Sequence, residues 1–343
     1  MPQVGYTEML FTKENMIDLK ISDFPPPYTH INGHQNLVVS KYDIARAGMT
    51  VGYPKLLNAI STLGVYRFLE LFFRTRAYLE IHNNSYQLNP IFFLLDSSEQ
   101  KTISYFFGQA LTKLFAEQYL NCDQVDDFRN HVGNISFLKS GQKFRPKKQL
   151  YNSNKTPKEP DLIGFSGNDY HILEAKGYSS GFNGSVFQHA INQVSIIGQV
   201  NGKQPLTKTA CFFDLSGNPF LGRIQDPDDE TMNIDIEFDK KAFLNNYYNL
   251  FNLEKLKRRS YWTFTFNGNE FAGFRLFDAM HPHLLFGVDY DLFKQINSNG
   301  IIDFKKKEYE SIKGNQYASV GSDGIIFIDT IRNKNLNIER VSA

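Results

Sequence analysis

Residues 160 to 176 constrain the fold more than any other stretch of the chain. Asp161, Ile163 and Phe165 alternate with the residues between them and predict one strand. The polar run 166 to 169 predicts a turn, and the apolar residues from 170 to 175 predict a second strand. Because side chains alternate between the two faces of a strand, Glu174 and Lys176 are expected on one face. The sequence therefore predicts a β-hairpin that places a carboxylate beside an ammonium group.

Asp161 lies at the start of the first predicted strand. Antiparallel pairing would bring it to the end of the hairpin that carries Glu174 and Lys176. Two carboxylates and one lysine in that position are able to hold a hard divalent cation beside a phosphate ester. This set of residues is typical of a nuclease.

The residues Pro160-Asp161 and Glu174-Ala175-Lys176 resemble the signature of the PD-(D/E)xK nuclease superfamily, which includes restriction endonucleases and many repair and phage-defence nucleases. A second complete copy is formed by Pro227-Asp228 and Asp239-Lys240-Lys241. The first copy is favoured by its context, because the second begins in an acidic turn and its acid-x-lysine triplet follows a strand instead of ending one.

The resemblance implies a role for each residue of the hairpin signature. Asp161, Glu174 and the main-chain carbonyl of Ala175 would bind Mg²⁺, with Mn²⁺ as a substitute. Lys176 would orient or help to deprotonate the attacking water and offset charge in the transition state. The function implied is metal-dependent hydrolysis of DNA phosphodiester bonds.

Two further candidates lie on predicted helices on either side of the hairpin. Helical periodicity after Asp96 places Glu117 on the inward-facing side, and in the superfamily this helix often presents a glutamate to the metal. A solvated helix end is the alternative for Glu117. Related nucleases also direct a glutamine from the following helix, here residues 185 to 200, to the active site. Gln193 is preferred over Gln188 for that role, and an exposed amide on an amphipathic helix is the alternative.

A run of basic residues with no acid among them lies between residues 139 and 158. Contacts to the phosphate backbone are electrostatic and independent of base sequence, so such a run beside the hairpin favours nucleic-acid binding. A solubilising loop is the alternative. The candidates at the centre of the run are Lys143, Arg145, Lys147 and Lys148.

Periodicity between residues 97 and 214 predicts the order helix, strand, strand, strand, helix, strand, with the first strand at 134 to 138. This is the αβββαβ core order of the superfamily. The expected fold class is therefore α/β, or mixed α+β. A restriction-endonuclease-like core is expected at 96–215, between a mostly helical region at 1–95 and an α+β region at 216–343.

The flanking regions carry weaker patterns. The proline run at 25 to 27 and the residues 32 to 35 predict loops, so residues 1 to 50 are expected to be irregular, and residues 54 to 79 have helical spacing. In the C-terminal region, an Asn-Gly turn predicts a hairpin over residues 261 to 277, a short helix is predicted from 289 to 296, and a second hairpin from 317 to 328.

Composition limits the remaining classes. The chain has 343 residues, 41% of them hydrophobic, which is enough for a sizeable core. A formal net charge of +1 excludes a globally basic nucleic-acid binder, so any binding surface must be local. Two distant cysteines, Cys122 and Cys211, fit a reducing compartment. With no signal-peptide pattern and no membrane-length apolar stretch, a cytoplasmic location without a membrane partner is expected.

The predicted function is an endonuclease acting on DNA, with restriction or phage defence as its setting. Alternatives are an RNA or structure-specific repair nuclease, and a non-catalytic module that binds nucleic acid or protein on the same fold. In the non-catalytic case, Glu174 and Lys176 would form only a structural ion pair. Cutting both strands of a duplex calls for two active sites, which favours a homodimer.

Overall fold

A computed structural model describes residues 15–51, 66–131, 135–139, 141–144, 160–227, 234–256, 260–276, 283–298, 302–309, 315–333 and 336–342. These residues form a mixed α/β protein with six α-helices, two smaller sheets and one large, curled mixed sheet.

The helices are α1 (Lys41–Thr50), α2 (Tyr66–Tyr78), α3 (Ser97–Tyr119), α4 (Gly184–Ser195), α5 (Lys240–Tyr247) and α6 (Tyr290–Asn297). The strands are β1 (Met16–Ser22), β2 (Gly33–Val38), β3 (Leu79–His82), β4 (Ser85–Leu88), β5 (Gln124–Asp127), β6 (Ile135–Lys139), β7 (Gln142–Phe144), β8 (Leu162–Ser166), β9 (Asp169–Tyr178), β10 (Ile197–Val200), β11 (Thr207–Asp214), β12 (Leu221–Gln225), β13 (Ile234–Phe238), β14 (Ser260–Phe266), β15 (Asn269–Arg275), β16 (Leu284–Asp289), β17 (Ala318–Val320), β18 (Ile325–Asp329) and β19 (Asn337–Ser342).

The predicted hairpin at 160 to 176 is confirmed. Strands β8 and β9 pair antiparallel from Leu162 opposite Leu173 to Ser166 opposite Asp169. The turn passes through Gly167, whose φ of 59° lies in the left-handed region that glycine adopts without a steric penalty. Local turn chemistry and strand alternation were sufficient to predict this element.

The large sheet has nine strands, in the order β3-β4-β1-β12-β11-β9-β8-β5, and β2 also pairs with β1. Strand β9 runs parallel to β11 and antiparallel to β8, and β5 runs antiparallel to β8. The sheet therefore contains strands from the N-terminal region, the hairpin and the chain beyond residue 215.

The N-terminal region differs from the mostly helical region expected at 1–95. Its described part contributes four strands to the large sheet as well as α1 and α2. Strand β1 alternates exposed and buried residues along its whole length, the pattern of a strand with one face in the core. The predicted helix over 54 to 79 is observed from Tyr66, and residues 54 to 65 lie outside the described residues.

The strand predicted at 134 to 138 forms as β6, but it does not pair with the hairpin. It lies in a four-stranded sheet with the order β10-β13-β6-β7. The neighbour of β8 is instead β5, with Asp126 opposite Ile163. All four residues of β5 are buried although three are polar, so the segment lacks the apolar alternation that marks a strand.

Helix α3 begins where predicted and packs against β9. The Asp96 carboxylate accepts hydrogen bonds from the N–H groups of Ser98, at 2.7 Å, and Glu99, at 3.1 Å. A Cβ added at Gly177 would collide with the main-chain oxygen of Ser104 on α3, so the helix and the strand are in direct backbone contact. Because side chains alternate, Glu174 and Lys176 point away from α3.

Helix α4 packs on the opposite side of the sheet. The ring of Phe187 on α4 lies 6.1 Å from that of Phe212, and Phe212 is the register partner of Lys176. The face that carries Glu174 and Lys176 is therefore the face that α4 partly covers.

The C-terminal part forms a six-stranded antiparallel sheet in the order β17-β18-β16-β15-β14-β19. Both predicted hairpins are confirmed, as β14–β15 and β17–β18, and the predicted short helix is α6. The first hairpin turns through Asn267 and Gly268, whose φ values are 48° and 78°. Within the described ranges, no helix combines the length and apolar character needed to cross a membrane.

Candidate active site

The structure brings Asp161, Glu174 and Lys176 together at the end of the β8–β9 hairpin. Lys176 Nζ lies 3.7 Å from Asp161 Oδ2 and forms a closer ion pair with Glu174 Oε1. The main-chain N–H of Asp161 donates to Glu174 Oε2 at 2.9 Å. The three charged groups predicted from sequence therefore form one connected cluster.

The cluster forms because the β8–β9 ladder stops one residue short of Asp161. The last pair on this side is Leu162 with Leu173, so Asp161 and Glu174 come next. In place of a ladder bond, the Asp161 N–H bonds the Glu174 side chain, and Asp161 Oδ2 accepts the N–H of Ala175 at 3.2 Å. The two acids thus satisfy the backbone donors at the strand ends.

Burial differs sharply among the three side chains. Glu174 has no exposed side-chain surface, whereas Asp161 is 16% and Lys176 22% exposed. The cluster is therefore open to solvent on the side of Asp161 and Lys176 and closed around Glu174.

The electrostatics follow from this burial. Burial, and then the charge of Asp161, raise the pKa of Glu174 to about 8, although the Lys176 ammonium opposes the rise. Burial lowers the pKa of Lys176, but the carboxylates of Glu174 and Asp161 outweigh it, and the net direction is upward. While Glu174 keeps its proton, the ammonium of Lys176 balances the charge of Asp161; loss of that proton would leave an excess negative charge that a bound cation could compensate.

Glu117 lies in a different cluster. Its carboxylate accepts hydrogen bonds from Arg46 Nη1 at 3.0 Å and Nη2 at 2.5 Å, and Lys113 Nζ lies 3.7 Å away. Lys113 also pairs with Asp323 at 2.9 Å. The helical wheel correctly placed Glu117 inward, but its described partners are cations from α1 and α3, and α3 lies behind the face that carries Glu174.

The two glutamine candidates lie on α4. Gln188 is exposed and donates to Asn192 at 3.1 Å, so it forms a local helix-surface bond. Gln193 is half-buried, and its helix packs on the Lys176 side of the sheet. The structure thus places Gln193 on the expected side and leaves its role a prediction.

Only one of the four basic candidates lies in the described residues. Lys143 is in β7, opposite Leu138 of β6, and belongs to the four-stranded sheet. Arg145, Lys147 and Lys148 lie outside the described residues. Their predicted contact with nucleic acid remains a prediction.

The second copy of the signature has a local structural role at its described end. Asp239 caps α5, where its Oδ1 accepts the N–H of Ala242 at 3.0 Å. Asp228, the other acid of that copy, lies outside the described residues. A side chain engaged in helix capping explains this acid without a catalytic site.

The donor set of the hairpin cluster is small. Within the part of the chain that the structure describes, no group of three or more His, Cys, Asp or Glu side chains is placed to hold a metal ion. The cluster itself supplies two carboxylates. Any cation bound here would therefore need further oxygen ligands from the main chain, water or a substrate.

An aromatic group beside the cluster was not predicted from the sequence. The ring of Phe212 stacks on Tyr178 at 5.3 Å and meets the ring of Phe182 edge-on at 5.2 Å. The guanidinium carbon of Arg223 lies 3.8 Å from the centre of the Phe182 ring. High aromatic content throughout the chain hid this group, since no local spacing distinguished it from core residues.

Comparison with protein-family models, with curated proteins and with solved structures finds no match for this chain.

Proposed function

We propose that this protein is a metal-dependent nuclease whose active site is formed by Asp161, Glu174 and Lys176. The observation that carries the proposal is the contact of the Lys176 ammonium with both carboxylates at a partly exposed strand end. Two acids can hold a divalent cation beside a phosphodiester, and a lysine in contact with them can orient water and offset transition-state charge.

The arrangement of elements around the cluster supports the same proposal. In chain order, α3, β5, β8, β9, α4 and β11 follow the αβββαβ order of restriction-endonuclease-like nucleases. In the sheet, the four strands lie in the order β5-β8-β9-β11, with only the β9–β11 pair parallel. Strand β5 takes the position expected for the predicted strand at 134 to 138. This strand order and pairing support a nuclease-like core within a larger sheet.

The donor set fits Mg²⁺. This ion is commonly held by one or two carboxylates together with water and the oxygens of a phosphate substrate, so Asp161 and Glu174 suffice as side-chain ligands. The N–H of Ala175 bonds Asp161, and the N–H and C=O of a strand residue point to the same edge, so the carbonyl of Ala175 is the third candidate ligand. Bound Mg²⁺, or Mn²⁺ in its place, would lower the pKa of a coordinated water and neutralise phosphate charge.

The protein side chains have separate tasks in this proposal. Asp161, which is partly exposed, and Glu174, once it has lost its proton, would hold the cation. Lys176 orients the attacking water and offsets the charge that grows on the phosphate oxygens. Gln193 is proposed to contact substrate or water from α4.

The test is cleavage of plasmid and linear DNA with Mg²⁺ or Mn²⁺ by wild type, Lys176→Ala and Lys203→Ala. Lys203 is a matched control, because it forms an ion pair with Asp169 at the other end of β9 and is 54% exposed. We expect Lys176→Ala to lose at least about a hundredfold in rate, in line with the loss of one transition-state donor, and Lys203→Ala to match wild type. Equal cutting by wild type and Lys176→Ala would reject the proposal.

The substrate range is tested separately. The metal site contacts phosphate and not base, so an RNA nuclease or a structure-specific repair nuclease would use the same residues. A panel of duplex, single-stranded and branched DNA with RNA separates these activities. A restriction or phage-defence setting and a homodimer are parts of the proposal that rest on the resemblance alone.

One observation favours a non-catalytic binding module as the second candidate. Glu174 is fully buried in an ion pair with Lys176, which is also how a purely structural pair would be arranged. A module of that kind would bind nucleic acid equally well with Mg²⁺ or with a chelator. It would also bind independently of Lys176.

A further inference from the structure

A row of basic and aromatic side chains crosses the large sheet from the candidate active site. Strand register places Phe212 beside Lys176, Arg223 beside Phe212, Lys20 beside Arg223, and His34 beside Lys20. Directly paired residues project from the same face of a sheet. At a strand spacing of about 4.8 Å, the row extends about 19 Å from Lys176 to His34.

The far half of this row is on the open side of the sheet. Lys20, His34 and Arg223 are exposed, whereas Leu19 of β1 and Ile224 of β12, which point the other way, are buried in the core. Neither Lys20 nor Arg223 is ion-paired with another described residue. Two cations on a sheet face without acidic partners are available to an anionic ligand.

Phe182 lies against Phe212 and Arg223 of this row. The buried Phe212 lies between Lys176 and Arg223 in the row, and the Phe182 ring lies against it at 5.2 Å. Phe182 is itself 40% exposed and carries the Arg223 guanidinium over its ring at 3.8 Å. An exposed ring paired with a guanidinium offers both a stacking surface for a base and a charge for a phosphate.

Acids lie on both sides of this row. The adjacent row on the same face runs from Tyr178 through Asp214 and Leu221 to Asp18. Asp214 accepts the N–H of Ser216 at 2.9 Å and its hydroxyl at 2.6 Å, so its oxygens are engaged locally while it keeps its negative charge. On the other side the row starts at Glu174 and continues through Ala210, Gln225 and Ser22, and Gln225 donates to Asp23 Oδ2 at 2.8 Å. A polyanion is therefore favoured along the basic row itself, which carries no acid from Lys176 to His34, and is repelled by the acids on either side.

We propose that the surface formed by Phe182, Arg223, Lys20 and His34 binds a single-stranded nucleic acid and leads it to Lys176. The ligand class is single-stranded because an exposed aromatic ring stacks on unpaired bases, whose faces are covered in a duplex. This inference rests on the proposed nuclease function for the choice of a nucleic acid. It adds the substrate form and the path across the sheet.

The test is binding of a labelled oligothymidylate, an oligouridylate and a duplex of equal length, measured by fluorescence anisotropy in a chelator so that no metal-dependent cleavage takes place. The double variant Lys20→Ala/Arg223→Ala removes two charges. We expect its slope of log affinity against log salt, between about 50 and 200 mM, to fall in magnitude by about 1.4. Phe182→Ala should weaken single-strand binding about fivefold or more, and Phe182→Tyr should restore it.

Arg332→Ala is the matched control. Arg332 is also exposed and also lies over an aromatic ring, that of Tyr317 at 5.5 Å, but it belongs to the C-terminal region. Its removal should leave binding unchanged. Thermal unfolding of every variant shows whether a loss of binding comes from a loss of fold.

Three results would overturn the inference: no binding by wild type, equal binding by wild type and the double variant, or duplex binding as tight as single-strand binding. The comparison of the oligothymidylate with the oligouridylate shows whether single-stranded DNA or RNA is bound more tightly. Cleavage is measured apart from this experiment. If the surface binds as expected and Lys176→Ala cuts as well as wild type, the proposed nuclease function fails and the binding surface stands.

Discussion

The main-chain N–H of Asp161 donates a hydrogen bond of 2.9 Å to Glu174 Oε2, and the next peptide on β9, at Ala175, donates one of 3.2 Å to Asp161 Oδ2. Each acid thus holds the backbone beside the other in place. The relative position of the two carboxylates is fixed by the end of a strand ladder, and a side chain on a mobile loop would lack this constraint. A change at Glu174 should therefore affect both the fold and the site.

Glu174→Gln and Glu174→Ala should differ in stability. Glutamine keeps an oxygen that accepts the Asp161 N–H and fills nearly the same volume. Alanine leaves that buried donor without a partner, which costs about 1–3 kcal/mol, and adds a cavity. We expect Glu174→Ala to unfold with a lower free energy than Glu174→Gln in urea titrations, and both variants to lose metal-dependent cleavage. Equal unfolding free energies would show that the hydrogen bond contributes nothing to the fold.

The stability of the wild type should depend on pH through Glu174. Burial and the neighbouring Asp161 raise the pKa of this carboxyl from its ordinary 4.5 to about 8 in the folded protein. The folded state therefore binds more protons than the unfolded state between these values, and its free energy of unfolding falls as pH rises from about 4.5 to 8. Below about pH 4.5 the carboxyl is protonated in both states, and its full contribution to the free energy of unfolding is present.

Glu174→Gln is the reference that isolates this effect, because its amide does not titrate. The difference in unfolding free energy between wild type and Glu174→Gln should decrease steadily from about pH 4.5 to 8 when both are denatured in urea at a series of pH values. A difference that stays constant over this range would mean that the carboxyl is ionised throughout.

The hairpin and its three charged residues were predictable because their signals are local. Alternation, a turn containing glycine, and an i to i+2 spacing on one strand all act over a few residues. Strand β5 was missed because its residues are polar yet buried, and its burial comes from packing that sequence periodicity does not report. The N-terminal strand β1 was missed although its alternation is regular, because the proline run at 25 to 27 suggested an irregular region.

The partner of Glu117 shows a second limit. A buried acid requires a cation, and Lys113, one helical turn earlier, was a local candidate. The bidentate partner is Arg46, 71 residues away in sequence on another helix. A contact at that separation depends on how α1 and α3 pack, which no local pattern specifies. The resemblance to the nuclease superfamily predicted a metal ion, and not Arg46, as the partner of Glu117.

Mg²⁺ binding should strengthen with pH. A carboxylate must lose its proton before it binds a metal, and Glu174 holds its proton up to a pKa of about 8. We expect the apparent affinity of wild type for Mg²⁺, measured by calorimetry in the presence of a non-cleavable substrate analogue, to rise up to tenfold per pH unit below about 8 and then level off. An affinity independent of pH between about 6 and 8 would exclude Glu174 as a ligand.

Glu117 should matter for stability and not for metal binding. Its carboxylate neutralises Arg46, which is 2% exposed, and lies 3.7 Å from Lys113 Nζ, which is fully buried. Removing one partner of a buried ion pair costs about 3–5 kcal/mol, and here Arg46 would keep, among the described acids, only a longer contact of 3.7 Å with Asp323, an acid that Lys113 already pairs with at 2.9 Å. Glu117→Ala should therefore lower the free energy of unfolding by that amount, while its Mg²⁺ affinity, measured well below its melting temperature, equals that of wild type.

Asp303→Ala is the control for this prediction. The Asp303 side chain is 77% exposed and lies 4.0 Å from Lys305, so its loss should change the free energy of unfolding by less than about 0.5 kcal/mol. A Glu117→Ala protein that is as stable as wild type but binds Mg²⁺ more weakly would place Glu117 at the metal after all.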